Sequence, residues 1–429
     1  MPKKNRQMTK TGTINNYNDM NIMNIENIKG CGQRCFAPFC YIIILGIFLS
    51  AVFISADVRA EPEVSGLWVV RDTITSPEKV AGVVDFAVEY GYNTLFVQVR
   101  GRGDAFYKSY FVPGPETYPH IPGSFDPLGA IIELAHARGI EVHAWFNMYF
   151  TWSADQPPSS RQHLLNSHPA WFMVSVHGKS MADDSIDAVR NNLIEGRYIS
   201  PALEEVRSYL SKVITEVLVS YDIDGVHLDY VRYPGWKYDF NRRITQRFVN
   251  MTGVDPVRIM LDGAAVDPTI EYLEKWTDYK SEQIDLQIKS IARRISLADK
   301  EKKIRFSAAV KPNAEEAYVE FGQNWVGWLN EGIMDFVVTM SYHPDTDWVR
   351  DVLSGSLKKV DRKKVIGGIG AYKLKPEETA KQIELMNNLG LLGYCMFSYT
   401  TFNENPGFAE TLKKIHPLNN HRPDKTNSD

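Results

Sequence analysis

Asp222-Ile-Asp-Gly-Val-His-Leu-Asp-Tyr-Val-Arg-Tyr-Pro234 decides how the rest of the chain is read, because it is an apolar strand that delivers polar groups where it ends. Side chains alternate across a strand, so Gly225, His227 and Asp229 share one face while Val226 and Leu228 take the other. In a barrel of parallel strands wrapped by helices, Val226 and Leu228 pack outward and Asp229 points inward at the carboxyl end, where barrel enzymes keep their chemistry. A carboxylate buried there is costly unless it is used or paired, and Arg232 and Arg100 are its candidate partners.

On both sides of that strand the chain alternates short apolar strands with amphipathic helices, the pattern of a parallel sheet. Gly66-Leu-Trp-Val-Val70 reads as the first strand. Ser76 then supplies an N-cap and Pro77 a first helical position, with Val80, Val83, Val84, Ala87 and Val88 on one face and Gly91 past the end. Asn93-Thr-Leu-Phe-Val-Gln-Val-Arg100 is the second strand, followed by a long loop rich in Gly, Pro and aromatics. Asp126 and Pro127 open a helix closed by Gly139. Glu141-Val-His-Ala-Trp-Phe-Asn147 is the third strand, and residues 148–199 form an aromatic excursion whose length points to function. A helix opened by Ser200 and Pro201 leads into the fourth strand, and a helical insertion is expected over residues 239–302. Ile304-Arg-Phe-Ser-Ala-Ala-Val310, Asp335-Phe-Val-Val-Thr-Met-Ser-Tyr342, Lys364-Val-Ile-Gly-Gly-Ile-Gly370 and Gly393-Tyr-Cys-Met-Phe-Ser-Tyr399 complete eight strands.

Eight alternations is the count that closes an α/β (β/α)8 TIM barrel. A doubly wound open sheet would use the same alternation. Against it, no Gly-rich phosphate loop follows the first strand, and polar groups recur at most strand ends rather than at one switch point.

The 429 residues are 44% hydrophobic and 23% charged, an ordinary globular balance with core enough for a large domain. Residues 1–60 hold seven Lys or Arg and three Asp or Glu, which leaves 41 positive and 49 negative groups, net -8, in the remainder. Nucleic acid is therefore not an expected partner. Residues 39–56 are an uninterrupted apolar run preceded by Lys29 and Arg34, and Val58 and Ala60 are the small residues of a signal-peptidase site before Glu61. The leader is long for a signal peptide. Translation then starts later, at Met20 or Met23, or the run stays as a membrane anchor. The domain reading is a leader over 1–60, a barrel over 61–416 and a polar tail over 417–429. Export to the periplasm or cell exterior follows from it, with membrane contact only through residues 39–56. Three of the four cysteines fall in the leader, so Cys395 is left without an internal disulfide partner.

The strand ends present Gln98 and Arg100 from the second strand, Trp145 and Asn147 from the third, His227 and Asp229 from the fourth, Tyr342 from the sixth and Tyr399 from the eighth. Trp152 and Trp171 are expected on the wall of the groove. Indoles, amides, hydroxyls and a carboxylate around one rim suit a polyhydroxylated ligand, whose C–H faces meet aromatic rings. His227 also has a plain reading as a core histidine, and Trp68, Trp325 and Trp328 read as core. No HxxxH, HxH, CxxC or GxSxG arrangement appears, so neither a metal nor a cofactor is expected.

Gly66-Leu-Trp-Val69, Phe96-Val-Gln-Val-Arg100 with Gly103-Asp-Ala105, Asp126-Pro-Leu128, Glu141-Val-His-Ala-Trp-Phe-Asn147 and Asp224-Gly-Val-His-Leu-Asp229 together resemble the glycosyl-hydrolase-like family 10 group. These are exported bacterial proteins related to the divisome-associated glycosidase that cuts denuded peptidoglycan strands. The resemblance implies a (β/α)8 barrel, glycoside hydrolysis and a polysaccharide partner, here cell-wall glycan. A non-catalytic glycan-binding barrel would use the same rim. Many members carry two adjacent acids where this chain has Asp229 and Tyr230, so the second acid must come from elsewhere. Asp229, flanked by Arg100 and Asn147, is expected to stay ionised as nucleophile or base. Asp104, in the matching Gly-Asp-Ala segment, is the first choice of proton donor and Glu315 the second.

Overall fold

The computed structural model describes residues 62–116, 125–191, 194–262, 269–299 and 304–416. The leader with its apolar run and cleavage site, and the tail over 417–429, lie outside these residues. The strands are Val64–Val69 (β1), Thr94–Arg100 (β2), Glu141–Asn147 (β3), Phe150–Trp152 (β4), Arg197–Tyr198 (β5), Gly225–Asp229 (β6), Arg305–Val310 (β7), Phe336–Met340 (β8), Val365–Gly370 (β9) and Gly393–Phe397 (β10). Eight of them close a parallel barrel in the order β1-β2-β3-β6-β7-β8-β9-β10. The short β4 and β5 pair antiparallel outside it and close the excursion after β3 at its base.

Strand alternation sorts the core into two compartments. Val226 and Leu228 of β6 and Val97 and Val99 of β2 join the shell between sheet and helices. Trp68, Phe96, Trp145, Ala309, Phe336, Val338, Ile366 and Cys395 fill the barrel interior. Bulky rings fit there because their neighbours are small. A Cβ at Gly225 would lie 2.2 Å from His143 Nδ1, so β6 can pass over that ring only as glycine.

Two helices follow their sequence signals, whereas the one expected to open at Ser200 and Pro201 starts at Glu204, after Leu203, because the Ser200 hydroxyl is bonded to Asp239. Pro77–Glu89 starts at Ser76, whose hydroxyl accepts from Lys79 N, and Pro127–His136 starts at Asp126, which accepts from Gly129 N. The expected insertion resolves into two parts. Arg242–Thr252 and Pro256–Asp262 are additions, whereas Thr269–Ala298 is the barrel's own helix between β6 and β7, packed against Glu204–Ser220. Its buried stripe runs Trp276, Lys280, Ile284, Gln287, Ile291 and Ile295. Its charged member, Lys280, acts electrostatically on Asp239, and burial lifts the Asp239 carboxyl to about 7 and lowers the Lys280 ammonium to about 8. Asp239 Oδ2 accepts the Ser200 hydroxyl at 2.8 Å, which ties the end of the excursion to the segment after β6.

Among the described residues no helix is long and apolar enough to cross a membrane.

Candidate active site

Asp229 closes β6 at the carboxyl end of the barrel, 8% exposed. The strand stops there because Tyr230 takes a left-handed conformation (φ 49°), uncommon for a bulky side chain. That turn places the Tyr230 N–H 2.6 Å from Asp229 Oδ1, which also accepts from Arg232 Nη1 at 3.0 Å. Arg232 is itself buried, and its guanidinium lies 4.2 Å from the centre of the Tyr230 ring. Burial raises the Asp229 carboxyl above its ordinary value, with Arg232 and the Tyr230 N–H pulling against it. A guanidinium does not give up its proton in a protein, so the carboxyl is the member of this pair that can change state.

Around Asp229 the mouth is aromatic below and cationic at the side. Trp68, Tyr342 and Phe397 pack edge to face or tilted, with centroids 5.4–6.1 Å apart, and Asp229 acts electrostatically on Tyr342. Tyr372 stands beside Tyr342 and Phe397 and is 52% exposed, an open ring above the floor. Arg71, just after β1, donates Nη1 to Gln98 Oε1 at 2.8 Å and acts on Tyr230. Lys311, just after β7, has its ammonium lowered by burial and by Arg232. Two buried polar atoms on β3, Trp145 Nε1 and Asn147 Oδ1, have no hydrogen-bond partner within the protein. Among the described residues no cluster of His, Cys, Asp and Glu could hold a metal ion. The arrangement therefore offers a buried carboxyl with a raised proton affinity, aromatic faces and two buried polar atoms without a protein partner.

The model of the family described as glycosyl hydrolase-like 10 matches residues 63–374. The chain belongs to this family. Among its relatives, glycosyl hydrolase YngK of Bacillus subtilis (strain 168) is 26% identical over 421 residues, 90% of this chain and 78% of YngK. Glycosyl hydrolase DigH of Escherichia coli (strain K12) is 24% identical over 308 residues, 68% of this chain and 65% of DigH, so the chain spans just under two thirds of that relative. Among solved structures, the PgaB (BpsB) glycoside hydrolase domain from Bordetella bronchiseptica superposes with a TM-score of 0.62 at 13% identity, covering 83% of this chain and 99% of that one. The catalytic domain of a beta-amylase from Paenibacillus polymyxa gives 0.54 at 10% identity, covering 83% and 100%. At these identities the structural likeness is one of fold.

Within this glycosyl hydrolase-like 10 barrel the residues read from sequence separate into two sets. Asp229, Asn147 and Tyr342 meet at the mouth, with Asn147 opposite Asp229 in the β3–β6 register. Trp145 and Gln98 contribute to its floor and wall, Gln98 as the support of Arg71. The others are placed elsewhere. The β2–β3 register shifts between Gln98 and Arg100, and Arg100 donates to the backbone carbonyls of Asn147 and Met148. It is therefore spent on the loop and is not the counter-ion of Asp229. His227 lies one step deeper, buried among Trp68 and Phe96 with Nδ1 2.9 Å from Ser307 Oγ, and burial holds it well below the ordinary histidine range. It is a neutral core histidine.

Trp152 is 4% exposed, its Nε1 donating to Gln156 O and its ring packed by His163 and Arg102. It holds the excursion together rather than presenting a groove wall. Trp171 is half-buried and stacks on His168 at 4.0 Å. Tyr399 packs on Phe86 of the outer helix Pro77–Glu89 and is absent from the mouth, because the eighth strand ends at Phe397 and a helix takes over. Asp104 is 2% exposed and turned back onto its own loop, accepting Arg102 N at 2.7 Å. Glu315 is exposed in the first turn of Ala314–Val319, where Asn313 caps its N–H. No described contact brings either acid to Asp229.

One carboxylate escaped the sequence reading. Glu195, at the return of the excursion, acts electrostatically on Asp229, Tyr230, Arg232 and Lys311, and accepts the Tyr198 hydroxyl at 3.1 Å. The only signal for it was its place just before β5, and that strand is two residues long and paired with a distant segment.

Proposed function

We propose that the protein is an exported glycoside hydrolase that cuts cell-wall glycan strands at the carboxyl end of its barrel. The observation that carries this reading is Asp229, a buried carboxyl of raised proton affinity facing an aromatic mouth in a glycosyl hydrolase-like chain. Such a group donates a proton to a glycosidic oxygen, so the expected role of Asp229 moves from nucleophile or base to acid. Tyr372 supplies an exposed ring for a sugar face. Arg71 and Lys311 on the mouth favour a glycan that carries carboxylates, as a peptidoglycan strand stripped of its peptides does on its lactyl groups.

The full chain incubated with denuded and with peptide-bearing peptidoglycan strands, and the products weighed by mass spectrometry, tests this reading. Short oligosaccharides are expected from the denuded strands. Strand binding without any cleavage product would instead establish a glycan-binding barrel.

The export part of the proposal rests on residues 39–60, where the apolar run and the small residues before Glu61 motivate cleavage. N-terminal sequencing of the protein recovered from the cell envelope is expected to begin at or near Glu61. A start near residue 1 would replace cleavage by a membrane anchor.

A further inference from the structure

Hydrolysis of a glycosidic bond by carboxyl groups takes two of them, and the loop that supplies the second is decided by how the excursion after β3 returns to the barrel. Its base is sewn to the end of β6: Met148 N donates to Asp229 O at 2.8 Å and Tyr149 N to Tyr230 O at 3.3 Å. Across the β4–β5 pair, Phe150 stacks on the Tyr230 ring at 4.7 Å and Tyr198 meets it edge-on at 5.9 Å. Tyr230 is thus gripped by Phe150, Tyr198 and Arg232 together. The Tyr198 hydroxyl reaches out of this grip to Glu195 Oε2 at 3.1 Å.

The same clamp that orients Arg232 against Asp229 therefore holds Glu195 over the mouth. Glu195 is exposed, so its carboxylate meets solvent water, whereas Asp229 is buried.

We propose that Glu195 is the second carboxylate of the reaction, the base that activates the attacking water opposite Asp229. This assignment rests on the glycoside hydrolase reading above. Glu195 and Asp229 make no contact with each other, and two tyrosine rings and a guanidinium lie along the path that connects them. Glu195 acts on Asp229 electrostatically without touching it, and the assignment is to the inverting arrangement, in which the two carboxyls stand roughly 6.5–9.5 Å apart with the attacking water between them.

The Asp229 carboxyl gives its proton to the glycosidic oxygen, and the C1–O bond breaks with its electron pair going to that oxygen, which leaves as a hydroxyl. A water oxygen forms the new bond to C1 from the opposite face while Glu195 takes one of its protons. The sum is one water added and one bond cut. Asp229 is left as carboxylate and Glu195 as acid, and proton exchange with solvent resets both. Tyr198 is a positioning residue, acting through Glu195.

The test uses the full chain with denuded peptidoglycan strands, with wild type, Asp229→Asn, Glu195→Gln and Glu195→Ala assayed side by side and folding checked by circular dichroism. Glu195→Gln keeps an oxygen that accepts the Tyr198 hydroxyl but cannot take a proton, so it separates chemistry from structure. It is expected to lose about 10³-fold in turnover, within the range of a lost general base. Azide, which needs no base, is expected to restore Glu195→Ala and to leave a glycosyl azide visible by mass spectrometry. The wild-type product is expected to form with inverted configuration at C1.

Undiminished turnover in Glu195→Gln, or retention at C1, overturns the assignment while leaving the hydrolase reading in place if Asp229→Asn is inactive. A wild type that binds the strands and cuts none overturns both.

Discussion

Asp229→Asn is expected to reduce cleavage of glycan strands by about 10³-fold or more, because it removes the group proposed to protonate the leaving oxygen. The replacement is close to isosteric. Its side-chain oxygen still accepts the Tyr230 N–H, so the turn after β6 keeps its hydrogen bond. The variant loses the charge opposite Arg232, and its melting temperature is expected to fall while the barrel stays folded. Strand binding, measured separately by co-sedimentation, should persist, since Trp145, Asn147, Tyr342 and Tyr372 are untouched. The wild-type pH profile carries a matching signature. An acid must be protonated to act, so turnover is expected to fall as the pH rises through the Asp229 value, a limb that burial shifts upward from the ordinary carboxyl value. Full activity in Asp229→Asn would remove the proton donor from this scheme.

The second large effect is expected at Arg232. Replacing it by Met keeps much of the volume over the Tyr230 ring and leaves Asp229 buried with no cation. Breaking a buried pair from one side costs about 3–5 kcal/mol at neutral pH. The pH dependence gives the cause. Asp229 has a folded-state value raised above the unfolded one, so its contribution to stability is present below the unfolded value and is lost as the pH rises through the folded value. Without Arg232 the folded value rises further, and the loss at high pH grows. The stability gap between wild type and Arg232→Met should therefore be larger at pH 8 than at pH 4, since a protonated carboxyl does not need the cation. The activity limb should move to higher pH in the same variant. Urea melts at the two pH values check the first statement, and a gap independent of pH would mean that Arg232 acts by packing alone.

These expectations depend on features that were unequally visible in the chain. Period-two alternation placed Val226 and Leu228 outside and His227 and Asp229 inside, and the observed compartments agree. Helix starts at Ser76 and Asp126 were equally plain, since a cap and a proline act on neighbours a few residues away. The third strand runs Glu141–Asn147 as the alternation predicts. Such signals are local, and local signals survive in any tertiary setting that lets the element form.

What a side chain does at the end of a strand proved less legible. Arg100 continues the inward pattern of β2, yet a register shift between Gln98 and Arg100 turns it to the carbonyls of the next loop. Tyr399 belongs by sequence to the eighth strand, but that strand gives way to a helix after Phe397. Trp152 and Trp171 looked alike as loop aromatics. The first is sealed by His163 and Arg102, the second half-open on His168.

The sequence by itself determined the barrel, the count of its strands, the face of each and the presence of one carboxyl at its mouth. Only the tertiary structure decided that Arg232 is the counter-ion of Asp229, that burial raises the proton affinity of this carboxyl, and that Glu195 stands within electrostatic reach of it. The physical reason is one of range. Alternation and capping are written in residues two to four apart, whereas Glu195 comes within electrostatic reach of Asp229 only because a long excursion closes on itself through Phe150, Tyr198 and Tyr230.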